Sequence, residues 1–581
     1  MSHAPTADTV PGNARTAAQV LVDSLVAHGV DRVYCVAGES YLTVLDALYD
    51  SPIDVVTCRH EASAGFAALA DGKLTGRPGV VLVNRGPGAS NATIALHAAR
   101  QDAAPLLLIV GHVRSGEIGR DSFQEVDYHL TYADLAKGVW TLHRAGHTAE
   151  TVTRALRSTV QATPGPAVLV LPEDVLAEPA AVAGQAQPGA LSLTPCPPDS
   201  ATVARISELL TAARRPLLIG GGLLASAAGR RALGRAAERH VLPVAVSNKH
   251  QDLFDNTHPL YAGHLNIATQ PAQRALLGEA DLVLAVGTRL DAVTTQNHTL
   301  PAAPVPAQTL IQVYPDPGRL GRVCQPTEAL ACDPVAFLTA LGDTVPGLGI
   351  ELADRWDWAA RVHRTEARSA AWRPHESIDG LPFGSVVAAL NALTEPDAVI
   401  TVDAGNFTSW VHRYYRFAPV GTLLGLGCGA MGFGVPSGLA AALRHPDRQV
   451  VTVVGDGGFL MTGTELATAV QRRARLVVVI ADNGSYGTIR QHQERAYPAR
   501  VVATDLLNPD FAALARAFGA RGIRIEDERD LNVGLREALD YDGPTVVSVR
   551  TSLAWISAYQ HLALPTGIDM DLGALDALVQ G

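Results

Sequence analysis

The 581-residue sequence predicts an α/β fold built on parallel sheets. Short runs rich in valine, isoleucine and leucine alternate with alanine-rich stretches of helical period, and many of the runs end in a glycine-rich turn. The runs are continuously apolar, as expected for strands covered by helices on both faces. They lie at Val80–Val83, Leu106–Val110, Val168–Leu171, Leu217–Ile219, Leu282–Val286, Val450–Val454 and Leu476–Ile480.

The length predicts about three domains, because one domain usually holds ~100–200 residues. Two stretches indicate linkers. Residues 181–200 are rich in proline, glycine, serine and alanine, and residues 343–380 are polar and broken by prolines and glycines, although their middle could be helical. We therefore predict an N-terminal domain at 1–182, a middle domain at 198–345, a third domain at 378–556 and a C-terminal tail at 557–581.

The composition argues against several function classes. The chain has 46 Lys and Arg against 57 Asp and Glu, a formal charge of −11, which disfavours a protein that binds nucleic acid through basic patches. No apolar run approaches the ~18 residues of a membrane span, and the first fifteen residues contain no signal-like apolar stretch. The six cysteines show no CxxC spacing. We expect a cytoplasmic protein that binds neither nucleic acid nor a membrane.

The first and third segments share two sequence features. The spacing from Val83 to Ile109 equals that from Val454 to Ile480, and each segment later carries Gly-Pro-x-Val before an apolar strand. Most doubly wound domains show such spacings, so a duplication is one of two interpretations. A true duplication would let the two domains pair around one ligand, since ligands favour domain interfaces and the carboxyl ends of strands.

The most specific local pattern is Gly455-Asp456-Gly457-Gly458, followed after the next strand by Asn483. Both segments should lie at the carboxyl edge of one sheet. A carboxylate oxygen from Asp456 and an amide oxygen from Asn483 are hard ligands that suit Mg²⁺. The glycines let backbone N–H groups approach a diphosphate, and a helix beginning near Phe459 would turn its positive end toward that anion.

This pattern resembles the thiamine-diphosphate motif, and nearly all of residues 15–555 resemble the acetolactate synthase/pyruvate decarboxylase group of enzymes. The resemblance implies three doubly wound parallel-sheet domains: pyrimidine-binding, middle and diphosphate-binding. It implies Asp456, Asn483 and the carbonyl of Ser485 as Mg²⁺ ligands. It also implies contacts with thiamine diphosphate from Gly405, Asn406, Gly429, Met431, Gly457, Gly458, Asn483 and Gly487, with Met431 wedged between the two cofactor rings.

Arg59-His60-Glu61 precedes an alanine-rich helix. Glu61 could simply favour the helix dipole in the first turn. The resemblance instead implies that its carboxyl group hydrogen-bonds N1′ of the cofactor's aminopyrimidine and favours the imino form, whose N4′ removes the C2 proton. In that family the glutamate and the metal site meet across a dimer interface. The resemblance therefore implies at least a homodimer, and commonly a homotetramer.

Several segments look like acetolactate synthase, including Gly86–Asn91, Phe123–Glu125 and Gly432–Pro436, and Phe123 and Gln124 would face the reacting carbon. The adjacent histidine pair of pyruvate decarboxylases is missing. Glu39 departs from acetolactate synthase, which has a small residue there. Its carboxylate could handle protons near the substrate, or it could cap a helix.

Other departures concern the loops around the cofactor. Phe407 replaces a histidine that contacts the diphosphate, Asn84-Arg85 replaces Thr-Ser, and Asp482 stands where the family usually has asparagine. In the middle domain, Gly220-Gly221-Gly222 is a weak nucleotide signal that a tight turn explains equally well. Binding of FAD, which acetolactate synthases hold in this domain, is left open.

The resemblance implies an enzyme that acts on 2-oxo acids with thiamine diphosphate and Mg²⁺. We favour acetolactate synthase-like decarboxylation and carboligation, which gives a 2-hydroxy ketone. Two alternatives stay open: a non-oxidative 2-oxo acid decarboxylase that releases an aldehyde, and an enzyme of the 2-hydroxyacyl- or oxalyl-CoA lyase type.

Overall fold

A computed structural model describes residues 14–182, 188–191, 194–345 and 352–562. The chain divides into two compact units, residues 1–193 and residues 194–581. The predicted tail at 557–581 lies largely outside the described residues, and the predicted linker at 181–200 does so in part. Within the described ranges, no helix is long and apolar enough to cross a membrane.

The first unit is built on a six-stranded parallel sheet with the order β3-β2-β4-β5-β7-β6, next to a two-stranded antiparallel pair, β1-β8. The strands are β1 (Ala14–Thr16), β2 (Arg32–Cys35), β3 (Asp54–Thr57), β4 (Gly79–Asn84), β5 (Leu106–His112), β6 (Val139–Thr141), β7 (Pro166–Pro172) and β8 (Pro179–Val182). The helices are α1 (Ala17–Ala27), α2 (Leu42–Tyr49), α3 (Glu61–Thr75), α4 (Arg85–Asp102), α5 (Tyr128–Thr131), α6 (Thr148–Val160) and α7 (Glu173–Ala177).

Every residue of β5 and β7 is buried, which explains why these runs are continuously apolar. Strand β4 lies between β2 and β5 and leads directly into α4 at its carboxyl end. The start of α4 therefore lies at the edge of the sheet where ligands bind in folds of this class.

The second unit contains two sheets. The first has the parallel order β11-β10-β9-β12-β13-β14, so its strand order reverses between β9 and β12. Its strands are β9 (Pro216–Gly220), β10 (Val244–Val246), β11 (Tyr261–His264), β12 (Leu282–Val286), β13 (Thr309–Val313) and β14 (Glu328–Leu330). Its helices are α8 (Ser200–Ala212), α9 (Ala227–His240), α10 (Pro271–Leu277) and α11 (Pro334–Asp343).

The other sheet of this unit has the parallel order β16-β15-β17-β18-β20-β19. Its strands are β15 (Val399–Val402), β16 (Thr422–Leu424), β17 (Val450–Gly455), β18 (Val477–Asp482), β19 (Arg521–Ile525) and β20 (Thr545–Arg550). The helices from residue 352 onward are α12 (Leu352–Ser369), α13 (Phe383–Leu393), α14 (Phe407–Tyr414), α15 (Gly434–Arg444), α16 (Asp456–Thr462), α17 (Leu466–Gln471), α18 (Gly487–Ala496), α19 (Phe511–Phe518) and α20 (Glu528–Asp540).

The strand orders agree with the predicted duplication. When the strands of each parallel sheet are numbered in chain order, two sheets share one strand order: the sheet of the first unit and the last sheet of the chain. In both, the first strand lies between the second and the third. The middle sheet has a different order, with its first strand beside the fourth. The α/β class and the three parallel sheets are as predicted, while the exact domain boundaries remain predictions.

Two helices refine the sequence analysis. Helix α12 occupies the middle of the predicted linker and packs on the middle sheet, where Nε1 of Trp358 donates to the carbonyl of Pro216 at 2.9 Å. The helix expected near Phe459 begins earlier, at Asp456. Gly455 is its N-cap residue, and Gly457 and Gly458 adopt helical geometry, although glycine is a poor helix former.

Candidate active site

In the first unit, the start of α4 is surrounded by predicted site residues. Glu61 is the first residue of α3, and its Oε2 accepts a hydrogen bond of 2.9 Å from Nδ2 of Asn91 on α4. A Cβ atom added to Gly88 would lie 3.4 Å from Oε1 of the same carboxylate. The carboxyl group of Glu61 therefore lies against α4, with one oxygen held by an amide and the other beside a bare backbone.

Glu39 also lies beside the start of α4, where it faces Arg85. It begins a short 3-10 turn after β2, and its Oε1 lies 3.6 Å from Nη1 of Arg85, the first residue of α4. Asn84 holds this turn, because its Oδ1 accepts hydrogen bonds from the N–H of Ser40 at 3.1 Å and from the Ser40 hydroxyl at 2.5 Å. The side chain of Glu39 is 64% exposed, so the carboxylate is accessible to solvent in this unit.

Gln124 approaches α4 through its backbone. Its carbonyl accepts a hydrogen bond of 3.0 Å from the N–H of Gly86, and its φ of +64° is unusual for a side-chain-bearing residue. Oε1 of Gln124 is buried without a hydrogen-bond partner among the described residues. Phe123, by contrast, is 76% exposed on this unit. The fold thus gathers Glu39, Glu61 and Gln124 around one helix start and leaves the Phe123 ring at the surface.

In the second unit, the predicted metal ligands follow two neighbouring strands, with Asp456 as the first residue of α16 and Asn483 and Ser485 on the loop after β18. Oδ2 of Asp456, after β17, accepts a hydrogen bond of 2.8 Å from the N–H of Gly484, after β18. Oδ1 of Asp456 accepts from the N–H of Gly457 at 2.8 Å, and Oδ1 of Asn483 accepts from the N–H of Ser485 at 3.1 Å. Burial raises the pKa of the Asp456 carboxyl above its ordinary value, while hydrogen bonds from Asn508 and the backbone oppose the rise.

This donor set fits a hard divalent cation. It offers carboxylate, amide and backbone carbonyl oxygens, the ligand types that Mg²⁺ takes together with water and phosphate. The carbonyl of Ser485 accepts from the N–H of Gly487 at 2.7 Å and keeps a second lone pair. Across the described ranges no group of three or more His, Cys, Asp or Glu side chains could hold a metal. A site with a single carboxylate ligand is consistent with that finding.

The loop after β15 is tied to the start of α18. The N–H of Asn406 donates to Oγ1 of Thr488 at 3.0 Å, and Nδ2 of Asn406 donates to Oε1 of Gln491. In the first turn of α16, a Cβ atom added to Gly457 would lie 2.5 Å from the ring of Tyr486. The residues predicted to contact the diphosphate therefore form one packed edge, where at Gly457 only glycine fits.

The resemblance predicts that Phe407 replaces the family's diphosphate-contacting histidine. Its ring packs on two glycine backbones, since a Cβ atom would come within 2.6 Å of it at Gly405 and 3.1 Å at Gly455. The ring of Phe407 thus forms an apolar wall beside residues that are predicted to contact the diphosphate.

Asp403 organises the loop that carries Gly429 and Met431. Its carboxylate accepts hydrogen bonds from the N–H of Gly432 at 2.9 and 3.0 Å and from the N–H of Gly434 at 3.3 Å. Burial raises the pKa of Asp403 to about 6. Gly429 has a φ of +69°, a Cβ atom added to it would have no neighbour within 4 Å, and Met431 is half-buried. The loop is anchored on its C-terminal side and open at Gly429.

In the middle sheet, the triple glycine begins at the last residue of β9 and lies at the strand-order reversal. The N–H of Gly221 donates to the carbonyl of Val286 at 2.9 Å, and the N–H of Leu223 donates to the carbonyl of Gly287 at 3.3 Å. A Cβ atom on Gly222 would lie 2.6 Å from Nε2 of His250. Close packing accounts for these glycines without a nucleotide, so they give no independent support for FAD.

Sequence reasoning missed several residues that hold the site. Asn91 orients Glu61, Asp403 anchors the Met431 loop, and Asn508 donates to Asp456 from a loop far along the chain. Asn508 precedes Pro509-Asp510 at the start of a helix, which has the appearance of an ordinary turn. Of these three residues, only Asn91 could have been found from the sequence, because it lies in the Gly86–Asn91 segment that resembles acetolactate synthase.

These features define the class of the protein: an α/β chain of three parallel sheets, two of which share one strand order, with several oxygen ligands at the carboxyl edge of the last sheet. Family models of thiamine pyrophosphate enzymes match all three parts: the N-terminal binding domain at residues 15–130, the central domain at 203–341 and the C-terminal binding domain at 403–549. The chain belongs to the thiamine pyrophosphate (thiamine diphosphate) enzyme family.

The similar proteins include several acetolactate synthases. The large subunit of acetolactate synthase from Parasynechococcus marenigrum is 33% identical over 556 residues, which covers 92% of this chain and 87% of that protein. The large subunit of isozyme 2 from Escherichia coli is 29% identical over 92% of this chain and 95% of its own length. The mitochondrial acetolactate synthase of Schizosaccharomyces pombe is 30% identical, covering 92% and 83%. The chain is thus a thiamine-diphosphate-dependent enzyme with distant similarity to acetolactate synthases.

Proposed function

We propose that this protein is a Mg²⁺-dependent carboligase of the acetolactate synthase type. It would remove CO₂ from one 2-oxo acid and join the remaining fragment to a second carbonyl compound, giving a 2-hydroxy ketone. The observation that carries the proposal is the 2.8 Å hydrogen bond from Gly484 to Asp456. It joins the start of α16 to the loop after β18, the two segments that bear the proposed metal ligands.

Asp456, Asn483 and the carbonyl of Ser485 hold the Mg²⁺ ion. Backbone groups around Gly405, Asn406, Gly457, Gly458 and Gly487 receive the diphosphate, whose charge is offset by the cation and by N–H groups at helix starts. The contacts of Asn406 with α18 support this assignment, because they keep two of these loops at a fixed distance.

Glu61 holds a proton at N1′ of the aminopyrimidine. Bound thiamine diphosphate supplies the carbon nucleophile and the electron sink for loss of CO₂. Asn91 leaves the second oxygen of Glu61 available by fixing the first. Met431 and Gly429 support the pyrimidine from the loop that Asp403 anchors, and Phe123 and Gln124 line the side where the substrate binds.

The proposed assembly is at least a homodimer, and we favour a homotetramer. Glu61 belongs to the first unit and the metal ligands belong to the second. In the related enzymes such groups come from two copies of the chain, so each active site here would draw on two protomers. Light scattering of the purified protein measures this directly, and a monomer that is fully active would contradict it.

One observation favours a simple decarboxylase instead. The exposed carboxylate of Glu39 lies 3.6 Å from Arg85 at the same helix start as Glu61, a position from which it could deliver a proton to the product. In that case the product from pyruvate is acetaldehyde. The CoA-lyase alternative has no comparable support among the described contacts.

The test is a product analysis. Purified protein is incubated with thiamine diphosphate, Mg²⁺ and pyruvate, with and without an acceptor aldehyde, and the products are identified by NMR. We expect a 2-hydroxy ketone. Acetaldehyde as the sole product with every acceptor would contradict the ligase assignment. If Glu39→Gln then no longer formed acetaldehyde, the decarboxylase alternative would be established. The absorption spectrum of the preparation decides whether flavin is bound.

A further inference from the structure

The side chain of Asn508 bridges two carboxylates at the proposed metal site. Its Nδ2 donates to Oδ2 of Asp456 at 2.8 Å and to Oδ1 of Asp482 at 2.7 Å. An amide nitrogen carries two hydrogens, so both are committed to these carboxylates. Oδ1 of Asn508 is buried and has no hydrogen-bond partner in the part of the chain that the structure describes.

The two carboxylates come from neighbouring strands. Asp482 is the last residue of β18, and Asp456 follows β17 directly. Because they share one donor nitrogen, their negative charges lie close enough to repel each other. The neutral amide of Asn508 screens this repulsion without cancelling it, whereas a divalent cation bound at Asp456 would attract both charges.

Asn508 also determines which way the Asp456 carboxylate faces. Oδ2 accepts from both Asn508 and the N–H of Gly484, while Oδ1 accepts from the N–H of Gly457. With three donors around it, this 3% exposed carboxylate has one defined orientation. Removing the Asn508 amide would leave the Asp456 carboxylate with its two backbone donors alone and would leave Asp482 with one donor fewer.

We propose that Asn508 is a positioning residue for the metal ligand Asp456, and that the Asp482 carboxylate beside it raises the affinity of the site for a divalent cation. The proposal rests on the proposed function, since it takes Asp456 as a ligand. Groups that orient metal ligands typically contribute about 10- to 100-fold to metal affinity. Asp482 replaces the family's usual asparagine, so its charge is a property of this chain.

The experiment is a titration of the full-length protein with Mn²⁺ in the presence of thiamine diphosphate, in which electron paramagnetic resonance measures the free ion. We expect Asn508→Ala and Asp482→Asn each to raise the dissociation constant about tenfold. The concentration of Mg²⁺ that gives half-maximal activity should rise in parallel. At high ionic strength the difference between Asp482→Asn and the unaltered protein should shrink, because it arises from charge. The difference caused by Asn508→Ala should persist.

Two matched controls separate these effects from general ones. Asp510→Asn makes the same change of charge as Asp482→Asn, on the loop that carries Asn508, and keeps the N-cap of α19, where Asp510 accepts from the N–H of Ala513. Asn532→Ala makes the same substitution as Asn508→Ala, at an exposed position of α20. We expect neither control to alter Mn²⁺ binding. The proposal is overturned if the Asn508 and Asp482 variants bind Mn²⁺ as the controls do.

Asp456→Asn distinguishes failure of this proposal from failure of the proposed function. If Asp456→Asn binds Mn²⁺ as tightly as the unaltered protein, the metal assignment itself is wrong. If it loses binding while the other variants behave as controls, only the present inference is wrong. Melting temperatures without metal report on folding. Should Asn508→Ala not fold, Asp482→Asn, which keeps an oxygen to accept from Asn508, provides the test.

Discussion

Nδ2 of Asn91 donates a hydrogen bond of 2.9 Å to Oε2 of Glu61 and so joins the first turn of α3 to α4. The amide fixes one oxygen of the carboxyl group, and the other lies beside the bare backbone of Gly88. A glutamate that must hold a proton at one atom of a cofactor needs this kind of fixed orientation. The pair therefore links the local fold to the proposed chemistry.

Replacing Glu61 should remove most of the activity. We expect Glu61→Gln to lower kcat by about 10²- to 10⁴-fold, the usual contribution of a positioned acid or base. Asn91→Ala should lower it by about three- to tenfold, since one hydrogen bond contributes roughly 1 kcal/mol. Steady-state assays with pyruvate measure both, and Glu150→Gln on the exposed face of α6 is the matched control. A Glu61→Gln enzyme with undiminished kcat would rule out the assigned role.

Metal removal should abolish turnover reversibly. Protein dialysed against a chelator should be inactive and should recover with Mg²⁺. Asp456→Asn should recover poorly even at high Mg²⁺, because the cation loses its only charged ligand in the proposed set. Activity as a function of Mg²⁺ concentration provides the measurement, with Asp540→Asn at the exposed end of α20 as control. Equal Mg²⁺ dependence of Asp456→Asn and this control would refute the metal assignment.

The glycine at position 457 should be coupled energetically to Tyr486. Gly457→Ala brings a methyl group to 2.5 Å from the tyrosine ring. We expect it to lower the free energy of unfolding by about 1–3 kcal/mol, as overpacking usually does. In a Tyr486→Ala background the cost should be smaller, because the ring is gone. Urea unfolding measures the four free energies of the cycle.

Gly429→Ala is the matched control for that cycle. Its cost, about 1–2 kcal/mol, comes from the left-handed backbone at φ +69° and not from a contact. It should therefore be the same with or without the Tyr486 ring. If the cost of Gly457→Ala were equally insensitive to Tyr486, the packing described between Gly457 and Tyr486 would be wrong.

Two buried histidines should make the protein sensitive to acid. Burial lowers the pKa of His264 to about 3 and that of His412 well below its ordinary value, with Lys249 adding to both effects and His250 adding to the first. The rings lie 4.6 Å apart, and Nζ of Lys249 lies 3.1 Å from Nε2 of His412. Between pH 6.5 and about 3 the unfolded chain therefore binds more protons than the folded chain at these positions.

The part of the free energy of unfolding that depends on these histidines being neutral is fully present above pH 6.5. It is lost as the pH falls toward 3. Each should contribute a slope of up to about 1.4 kcal/mol per pH unit to the free energy of unfolding. Urea unfolding between pH 7 and pH 4 measures the slope. We expect His264→Gln and His412→Gln to reduce it, and exposed His143→Gln to leave it unchanged. An unchanged slope in both buried variants would contradict the account.

Much of the fold was predictable from the sequence for a simple reason. Strands such as Leu106–His112 are buried on both faces, and burial leaves a continuous apolar run in the sequence. The equal spacings in the first and third segments reflect the strand order that their sheets share. The start of the helix at Asp456 was misplaced because glycines normally end helices, and two of them here lie in its first turn.

The site was predictable only where a motif carries it. Asp456 and Asn483 stand at a fixed spacing because they follow adjacent strands of one sheet. Asn508 follows no such rule, since it comes from a loop whose path is set by tertiary packing. Asp403 is similar: a buried carboxylate after a strand leaves no sign in the sequence that it will anchor Gly432.

The most direct measurement of the central claim concerns Glu61 and the cofactor alone. The protein is saturated with thiamine diphosphate and Mg²⁺, mixed with D₂O and quenched in acid, and proton NMR follows the exchange of the C2 proton. We expect exchange in the unaltered protein to be at least about 100-fold faster than in Glu61→Gln. Equal exchange rates in the two proteins would contradict the account.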